Sequence, residues 1–260
     1  MGRNHLYRTI VCERLDCEFI GTDNVPSIFI MLPTLDEEMA LGDVYSRIPF
    51  EELKVQGYET KVVIVDGGSK DNTVNIAEDL GCLVIKQWGR GKGAGIRQAF
   101  KKFLEYEDDI LVMLDSDGTY FPEEIPHLVS SLPKSGIVIG DRLNGNLERE
   151  AMTSTNWIGN HLLTWFAVAL HGIPINDLCS GFWVFSKDAI KRLKLNSMRF
   201  EIEAEMYTSC VNQNIPIRQV PISYSKRVGD AKLGSIKDGT SIARKLIIRR
   251  IFPTPHEENR

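Results

Sequence analysis

Short apolar runs, each closed by a polar or glycine-bearing string, recur along the first half of the chain. Ile28-Phe29-Ile30-Met31-Leu32 ends at Pro33, and Val62-Val63-Ile64-Val65 ends at Asp66-Gly67-Gly68-Ser69. Cys82-Leu83-Val84-Ile85, Ile110-Leu111-Val112-Met113-Leu114 and Ile137-Val138-Ile139 continue in the same style. Runs this short, with no polar alternation, predict strands buried on both faces, as in a parallel sheet. The intervening stretches predict helices over 37–48, from a cap at Asp71 to Leu80, over 94–106, and from Pro122 at its favoured first position. Strand and helix thus alternate from residue 28 to about residue 140, which predicts an α/β fold with a mostly parallel sheet flanked by helices. The second half is less regular. It predicts helices over 157–170 and 203–213, strands over 181–185 and 217–220, and a closing basic helix over 237–251.

Composition narrows this picture only a little. A chain of 260 residues with 43% hydrophobic content suits one folded α/β unit. Residues 1–26 read as an N-terminal extension, 27–235 as the domain, and 236–260 as a basic helix and tail. The net charge of −4 does not favour nucleic acid as a partner. The five cysteines, Cys12, Cys17, Cys82, Cys179 and Cys210, are odd in number and scattered, which fits a reducing cytoplasm. Residues 1–26 lack the apolar core of a secretory signal. No segment approaches the roughly 20 apolar residues that span a bilayer. The expectation is a soluble or peripheral protein.

In open parallel sheets ligands bind beyond the carboxyl ends of the strands, and the unusual residues of this chain cluster there. Asp115-Ser116-Asp117 places two acids within reach of one hard cation, which would bridge and neutralise a diphosphate leaving group. Acids also cap turns, so the string alone is a weak signal. Asp66-Gly67-Gly68-Ser69 joins a carboxylate able to accept from a base N–H to glycines that allow close backbone approach. It is equally a tight turn. Gly89-Arg90-Gly91-Lys92-Gly93-Ala94-Gly95 precedes a helix and offers amides and two cations to a phosphate. It matches neither a P-loop nor a dinucleotide fingerprint. Arg227 and Lys232 flank Gly229 on a loop suited to an anion or to solvent. The segment 243–252, basic and amphipathic, reads either as an interfacial helix on anionic lipid or as a helix packed on the core. Glu203 heads a predicted helix as a dipole acid or a site residue.

In this order the strings resemble the family 2 glycosyltransferases of the GT-A fold, over roughly residues 27–240. The strings are Leu32-Pro33-Thr34-Leu35-Asp36-Glu37, Val65-Asp66-Gly67-Gly68-Ser69-Lys70-Asp71, Gly89-Arg90-Gly91-Lys92-Gly93, Leu114-Asp115-Ser116-Asp117-Gly118, Ile139-Gly140-Asp141-Arg142, Ser180-Gly181-Phe182 and Phe200-Glu201-Ile202-Glu203. Within the family they look most like the dolichyl- or polyprenyl-phosphate sugar synthases, in particular the archaeal enzymes of N-glycosylation. The resemblance implies a nucleotide-sugar donor surrounded by Pro33, Thr34, Glu37, Asp66, Gly68, Lys92, Asp115 and Ser116. It implies Mg²⁺ or Mn²⁺ on Asp115 and Asp117. It brings Arg142, Arg227 and Lys232 to the acceptor phosphate or donor pyrophosphate, and Glu203 to the sugar. It further implies a dolichyl or polyprenyl phosphate acceptor and a peripheral site on the cytoplasmic face of the membrane. Three positions depart from the family pattern. Asp36 replaces an Asn, Gly67 replaces a second Asp, and Trp183 stands where an Arg often follows Ser-Gly-Phe.

A phosphate monoester loses its second proton near pH 6, so it attacks without a strong base, whereas a hydroxyl acceptor needs a positioned carboxylate. Asp177 and Glu203 are the candidates for such a base. Three other readings stay open at this point: a transferase with a hydroxyl acceptor or a GDP-mannose donor, a nucleotide-sugar-binding protein without turnover, and a nucleotidyltransferase.

Overall fold

A computed structural model describes residues 25–229 and 235–255. Lys232, Cys12 and Cys17 lie outside the described residues, as does nearly all of the expected extension over 1–26.

Seven strands form one sheet: β1 (Ser27–Thr34), β2 (Glu59–Asp66), β3 (Leu83–Lys86), β4 (Ile110–Met113), β5 (Ile137–Asp141), β6 (Trp183–Ser186) and β7 (Ile217–Pro221). Their order across the sheet is β3-β2-β1-β4-β6-β5-β7. All pairings are parallel except those of β6, which lies between β4 and β5 and runs against both. Alternate side chains of the central strands enter two separate cores, which is why their sequences are apolar throughout. Phe29, Met31, Val63, Val65, Leu111 and Met113 enter one. Ile28, Ile30, Leu32, Val62, Ile64 and Val112 enter the other.

The first core is closed by α4 (Lys92–Tyr106), α6 (Ser154–His171), α8 (Ile202–Asn212) and α9 (Ser235–Ile251). The second is closed by α1 (Leu41–Ser46), α2 (Phe50–Val55), α3 (Thr73–Asp79) and α5 (Ile125–Ser130). The short α7 (Lys187–Arg192) comes directly after β6.

Several local expectations change. The helix expected over 37–48 begins only at Leu41, because residues 36–38 bond instead to residues 69–73. Pro49 then caps a second short helix, α2, that the pattern did not show. Asp71 does not cap α3. Its N-cap is Asn72, while Asp71 accepts from Thr73 N–H at 3.0 Å and from Glu38 N–H at 3.1 Å. Pro122 opens a single 3₁₀ turn, Pro122–Glu124, that leads into α5.

The basic C-terminal helix is packed on the core. Ile242 and Leu246 of α9 are buried, and Arg249 is 3% exposed. Arg249 Nε donates to Glu205 Oε1 at 2.9 Å, and Lys245 Nζ lies 3.3 Å from the same oxygen. Glu205 Oε2 accepts from the N–H groups of Asn196 and Ser197 at 2.8 and 2.6 Å. Burial works against this carboxylate, but Lys245, Arg249 and Ser197 outweigh it and hold it below the usual glutamate range. A depressed acid contributes stability that is present above its unfolded value of about 4.3 and is lost as pH falls through the lower folded value. Urea melts of the Glu205→Gln variant should therefore show a flatter loss of stability below about pH 4.3 than the parent.

Candidate active site

The carboxyl ends of β1, β2 and β4 form one rim. At the first, Asp36 turns the chain with φ +47°, a left-handed conformation that Asn and Asp tolerate best among residues with a side chain. Asp36 N–H donates to Ser69 Oγ at 2.9 Å, and Asp36 Oδ1 accepts from Lys70 N–H at 2.7 Å. Asp36 thus serves as donor and acceptor at once across the two loops. Glu37 N–H donates to Thr73 Oγ1 at 2.9 Å, and Glu38 Oε2 accepts from Asn72 N–H at 2.9 Å. The loops after β1 and β2 are thereby sewn together. Asp66, 5% exposed, accepts from Ser69 N–H at 2.9 Å, and Gly68 stands exposed at φ +94°.

Two groups of opposite charge sit on this rim. Lys92 Nζ lies 2.7 Å from Asp115 Oδ1 and 2.8 Å from Glu203 Oε1. Burial opposes the ammonium charge, but Asp115 and Glu203 outweigh it and raise its pKa above the ordinary lysine value. Burial raises the Glu203 carboxyl above its usual range, and Lys92 offsets part of this. In the second group Arg227 Nη2 lies 2.7 Å from Glu37 Oε1, and Nη1 lies 2.9 Å from Asp117 Oδ2. Asp117 Oδ1 accepts from Thr119 N–H at 3.0 Å and from its hydroxyl at 2.6 Å. Arg227 Nε is buried with no partner among the described residues.

Arg142 is 6% exposed and meets Asp177 through two contacts, Nε to Oδ2 at 2.6 Å and Nη2 to Oδ1 at 2.7 Å. Burial works against the guanidinium charge, yet Asp177 raises its pKa well above the usual arginine value. Its plane lies 5.1 Å from the ring of Tyr224, which packs edge-on against Tyr120. Burial pushes the Tyr120 phenol well above its usual value, and the neutral hydroxyl accepts from Gly181 N–H at 2.6 Å.

Some expected site residues face inward. Thr34 Oγ1 donates to Leu32 C=O at 2.9 Å, and Ser116 Oγ donates to Pro33 C=O at 3.0 Å. The first bond stays within β1, and the second ties the end of β4 to the end of β1. The glycine-rich segment is not an open cradle. A Cβ at Gly91 would strike Met198 C=O, and one at Gly93 would come within 2.7 Å of Ser197 C=O. Ala94 N–H already donates to Met198 C=O at 3.1 Å. These glycines seat α4 against residues 197–199, and the segment contributes Lys92 to the rim while Arg90 is exposed. Trp183 is fully buried and stacked on Phe185 at 5.7 Å, so it belongs to the core.

Gly181, in the string Ser180-Gly181-Phe182, acquires a role only in the folded chain. A Cβ there would collide with the carboxylate of Asp115, so only glycine leaves that side chain in place. Gly181→Ala should lower any activity that depends on Asp115 by about one to two orders of magnitude. Thermal melting should show a much smaller change, and the two readouts together check the assignment.

The donor set of Asp115 and Asp117 is hard oxygen without His or Cys, which suits Mg²⁺ or Mn²⁺ bound jointly with phosphate oxygens. Among the described residues no group of three metal-ligating side chains is assembled. Each acid already faces a protein cation, Lys92 at Asp115 and Arg227 at Asp117.

A family model described as glycosyl transferase family 2 matches residues 31–194. Glycosyltransferase AglJ of Haloferax volcanii is 32% identical over 226 residues, covering 86% of this chain and 72% of that protein. The UDP-N-acetylglucosamine--dolichyl-phosphate N-acetylglucosaminyltransferase of Methanococcus voltae is 28% identical over 217 residues, covering 75% of this chain and 84% of that one. Among solved structures, glucosyl-3-phosphoglycerate synthase from Mycobacterium tuberculosis, in complex with Mn²⁺, UDP and glucosyl-3-phosphoglycerate, superposes with a TM-score of 0.63 at 20% identity. That likeness covers 89% of this chain and 82% of the other. On these sequence matches the chain belongs to glycosyl transferase family 2.

Proposed function

We propose that the chain transfers a hexose or N-acetylhexosamine from UDP-glucose or UDP-N-acetylglucosamine to dolichyl or polyprenyl phosphate, on the cytoplasmic face of a membrane. The carrying observation is the state of the two candidate bases. Lys92 holds Glu203 Oε1, and Arg142 holds both oxygens of Asp177, so each candidate base is already engaged by a protein cation. This supports an acceptor that arrives already as an anion. The likeness to a relative named for dolichyl phosphate supports the same reading.

Asp115 and Asp117 would hold Mg²⁺ or Mn²⁺, which neutralises charge on the departing diphosphate. Asp66 accepts from the nucleobase. Arg227, oriented by Glu37 and carrying an unpartnered buried Nε, binds a phosphate oxygen. Arg142, held in one orientation by Asp177, faces the acceptor phosphate. The acceptor oxygen bonds to the anomeric carbon as the bond from that carbon to the diphosphate oxygen breaks. Nucleoside diphosphate leaves, and no proton need move.

The test incubates purified protein with Mn²⁺ or Mg²⁺, short-chain dolichyl phosphate and a panel of UDP- and GDP-sugars, and weighs the products. A lipid-phosphate hexose or N-acetylhexosamine is expected. Retained nucleotide-sugar binding without lipid product from any donor overturns the lipid acceptor and favours a hydroxyl acceptor or binding alone.

A further inference from the structure

Glu205 is fully buried on α8 and lies off the rim, where Glu203 of the same helix meets Lys92. Being two residues apart, the two carboxylates leave the helix on different sides. A buried ion pair adds little net stability over apolar packing of the same volume, so the partners of Glu205, rather than its charge, indicate its role. One oxygen, Oε1, takes Arg249 Nε at 2.9 Å and Lys245 Nζ at 3.3 Å from α9. The other, Oε2, takes the N–H groups of Asn196 and Ser197 at 2.8 and 2.6 Å. The side chain of Asn196 closes the same knot, with Oδ1 accepting from Arg249 Nη2 at 2.6 Å and from Lys245 Nζ at 3.0 Å.

The segment that Glu205 holds is the one against which the first turn of α4 is seated. Met198 C=O accepts from Ala94 N–H at 3.1 Å. It also fills the place of a Cβ at Gly91, and Ser197 C=O lies 2.7 Å from the place of a Cβ at Gly93. Lys92 stands between those two glycines, with its ammonium 2.7 Å from Asp115 and 2.8 Å from Glu203. Helix α8 thus grips Lys92 twice, directly through Glu203 and, through backbone, from Glu205. A contiguous path runs from Arg249 through Glu205 and the backbone of 196–198 to Ala94, in the turn that carries Lys92.

We propose that Glu205 is a positioning residue for Lys92. Clamped by Arg249 and Lys245 of α9, it fixes the backbone of residues 196–198, and that backbone fixes the Lys92 ammonium between Asp115 and Glu203. Helix α9 is thereby part of the framework of the site. The consequence for ligand binding rests on the UDP-sugar reading, whereas the path itself does not.

A carboxylate accepts on both oxygens, whereas a carboxamide accepts at one end and donates at the other. Glu205→Gln therefore sets an NH₂ group against either the cations of α9 or the amides of 196 and 197. In the full chain, without donor, metal or acceptor, this variant should speed amide exchange over 92–96 and 196–198 at least about tenfold, as expected for a lost hydrogen bond to a charged group. Leu53→Ala, in the opposite core, lowers global stability without touching this path. It should leave 92–96 near the parental rate, since such turns exchange by local opening. Asn196→Ala removes an exposed side chain from the knot. It should give the same pattern as Glu205→Gln at smaller size, and it carries the test if Glu205→Gln does not fold. Binding of UDP with Mn²⁺, followed by calorimetry, supplies a second readout. Glu205→Gln should weaken it about fivefold in the parent and less than about twofold in a Lys92→Met background, because the residue acts through Lys92. The proposal is overturned if exchange over 92–96 is unchanged, if Leu53→Ala speeds it as much, or if the Glu205 and Lys92 substitutions are additive in binding. A parent that binds no UDP counts against the UDP-sugar reading, and the exchange rates still decide the role of Glu205.

Discussion

Replacing Asp117 with alanine should reduce transfer by about two to three orders of magnitude while leaving a folded chain. The reason lies in how the rim distributes charge. Asp117 faces Arg227, but Arg227 keeps a second carboxylate, Glu37, at 2.7 Å. The substitution therefore does not strand a buried cation, and the loss of stability should be far smaller than for a broken buried pair. The same logic holds for Asp115, whose partner Lys92 retains Glu203 at 2.8 Å. On the proposed reading, each alanine variant loses oxygen density for a cation and negative charge beside the diphosphate. Initial rates over a Mn²⁺ titration, read beside thermal melts, check this. A variant that turns over at the parental rate would remove Asp117 from the machinery, and one that fails to fold would mean that Arg227 depends on it structurally.

Asp177→Ala is expected to behave in the opposite way, with stability as its main casualty. Arg142 and Asp177 are both buried, and Asp177 supplies the guanidinium's paired contacts. Removing one member of such a pair costs about 3–5 kcal/mol, a large part of a typical total of about 5–15 kcal/mol. For a chain of this size the melting temperature should fall by on the order of 10 °C. Replacing both members by apolar side chains, Arg142→Met with Asp177→Leu, should recover most of that stability, because no charge is then left buried alone. It should not recover transfer if Arg142 faces the acceptor phosphate. Melts and rates of the single and double variants separate the structural share of the pair from its chemical share.

The strands were legible because each crosses the middle of a three-layer fold and needs apolar residues on both faces. Ile28 to Leu32 and Val62 to Val65 read as strands for that reason. The acids of the rim were legible because they come directly after such runs. The direction of β6 was not legible, since an apolar run carries no polarity. Because β6 is antiparallel, the residues that precede it, Ser180 and Gly181, reach the rim, whereas a parallel strand brings only the residues after it. The roles of Gly181, and of Tyr120 that accepts its N–H, were hidden for this reason. The pairing of Arg142 with Asp177 joins residues 35 apart in the chain through a contact that no local pattern encodes. The glycine-rich segment misled in another way. It has the composition of an anion cradle, but Gly91 and Gly93 answer to the backbone of residues 197–199, which only the folded chain brings there.

The sewing of residues 36–38 to residues 69–73 has a consequence for how such a protein varies. Each loop supplies donors to side chains of the other, so neither keeps its shape alone. A chimera that imports only the loop after β1 from a relative with another donor preference inherits mismatched hydrogen bonds at Ser69, Lys70 and Thr73. Exchanging 34–40 and 66–73 as one cassette preserves them. Substitutions that retune this corner are thus expected to arrive in pairs, one on each side of the seam.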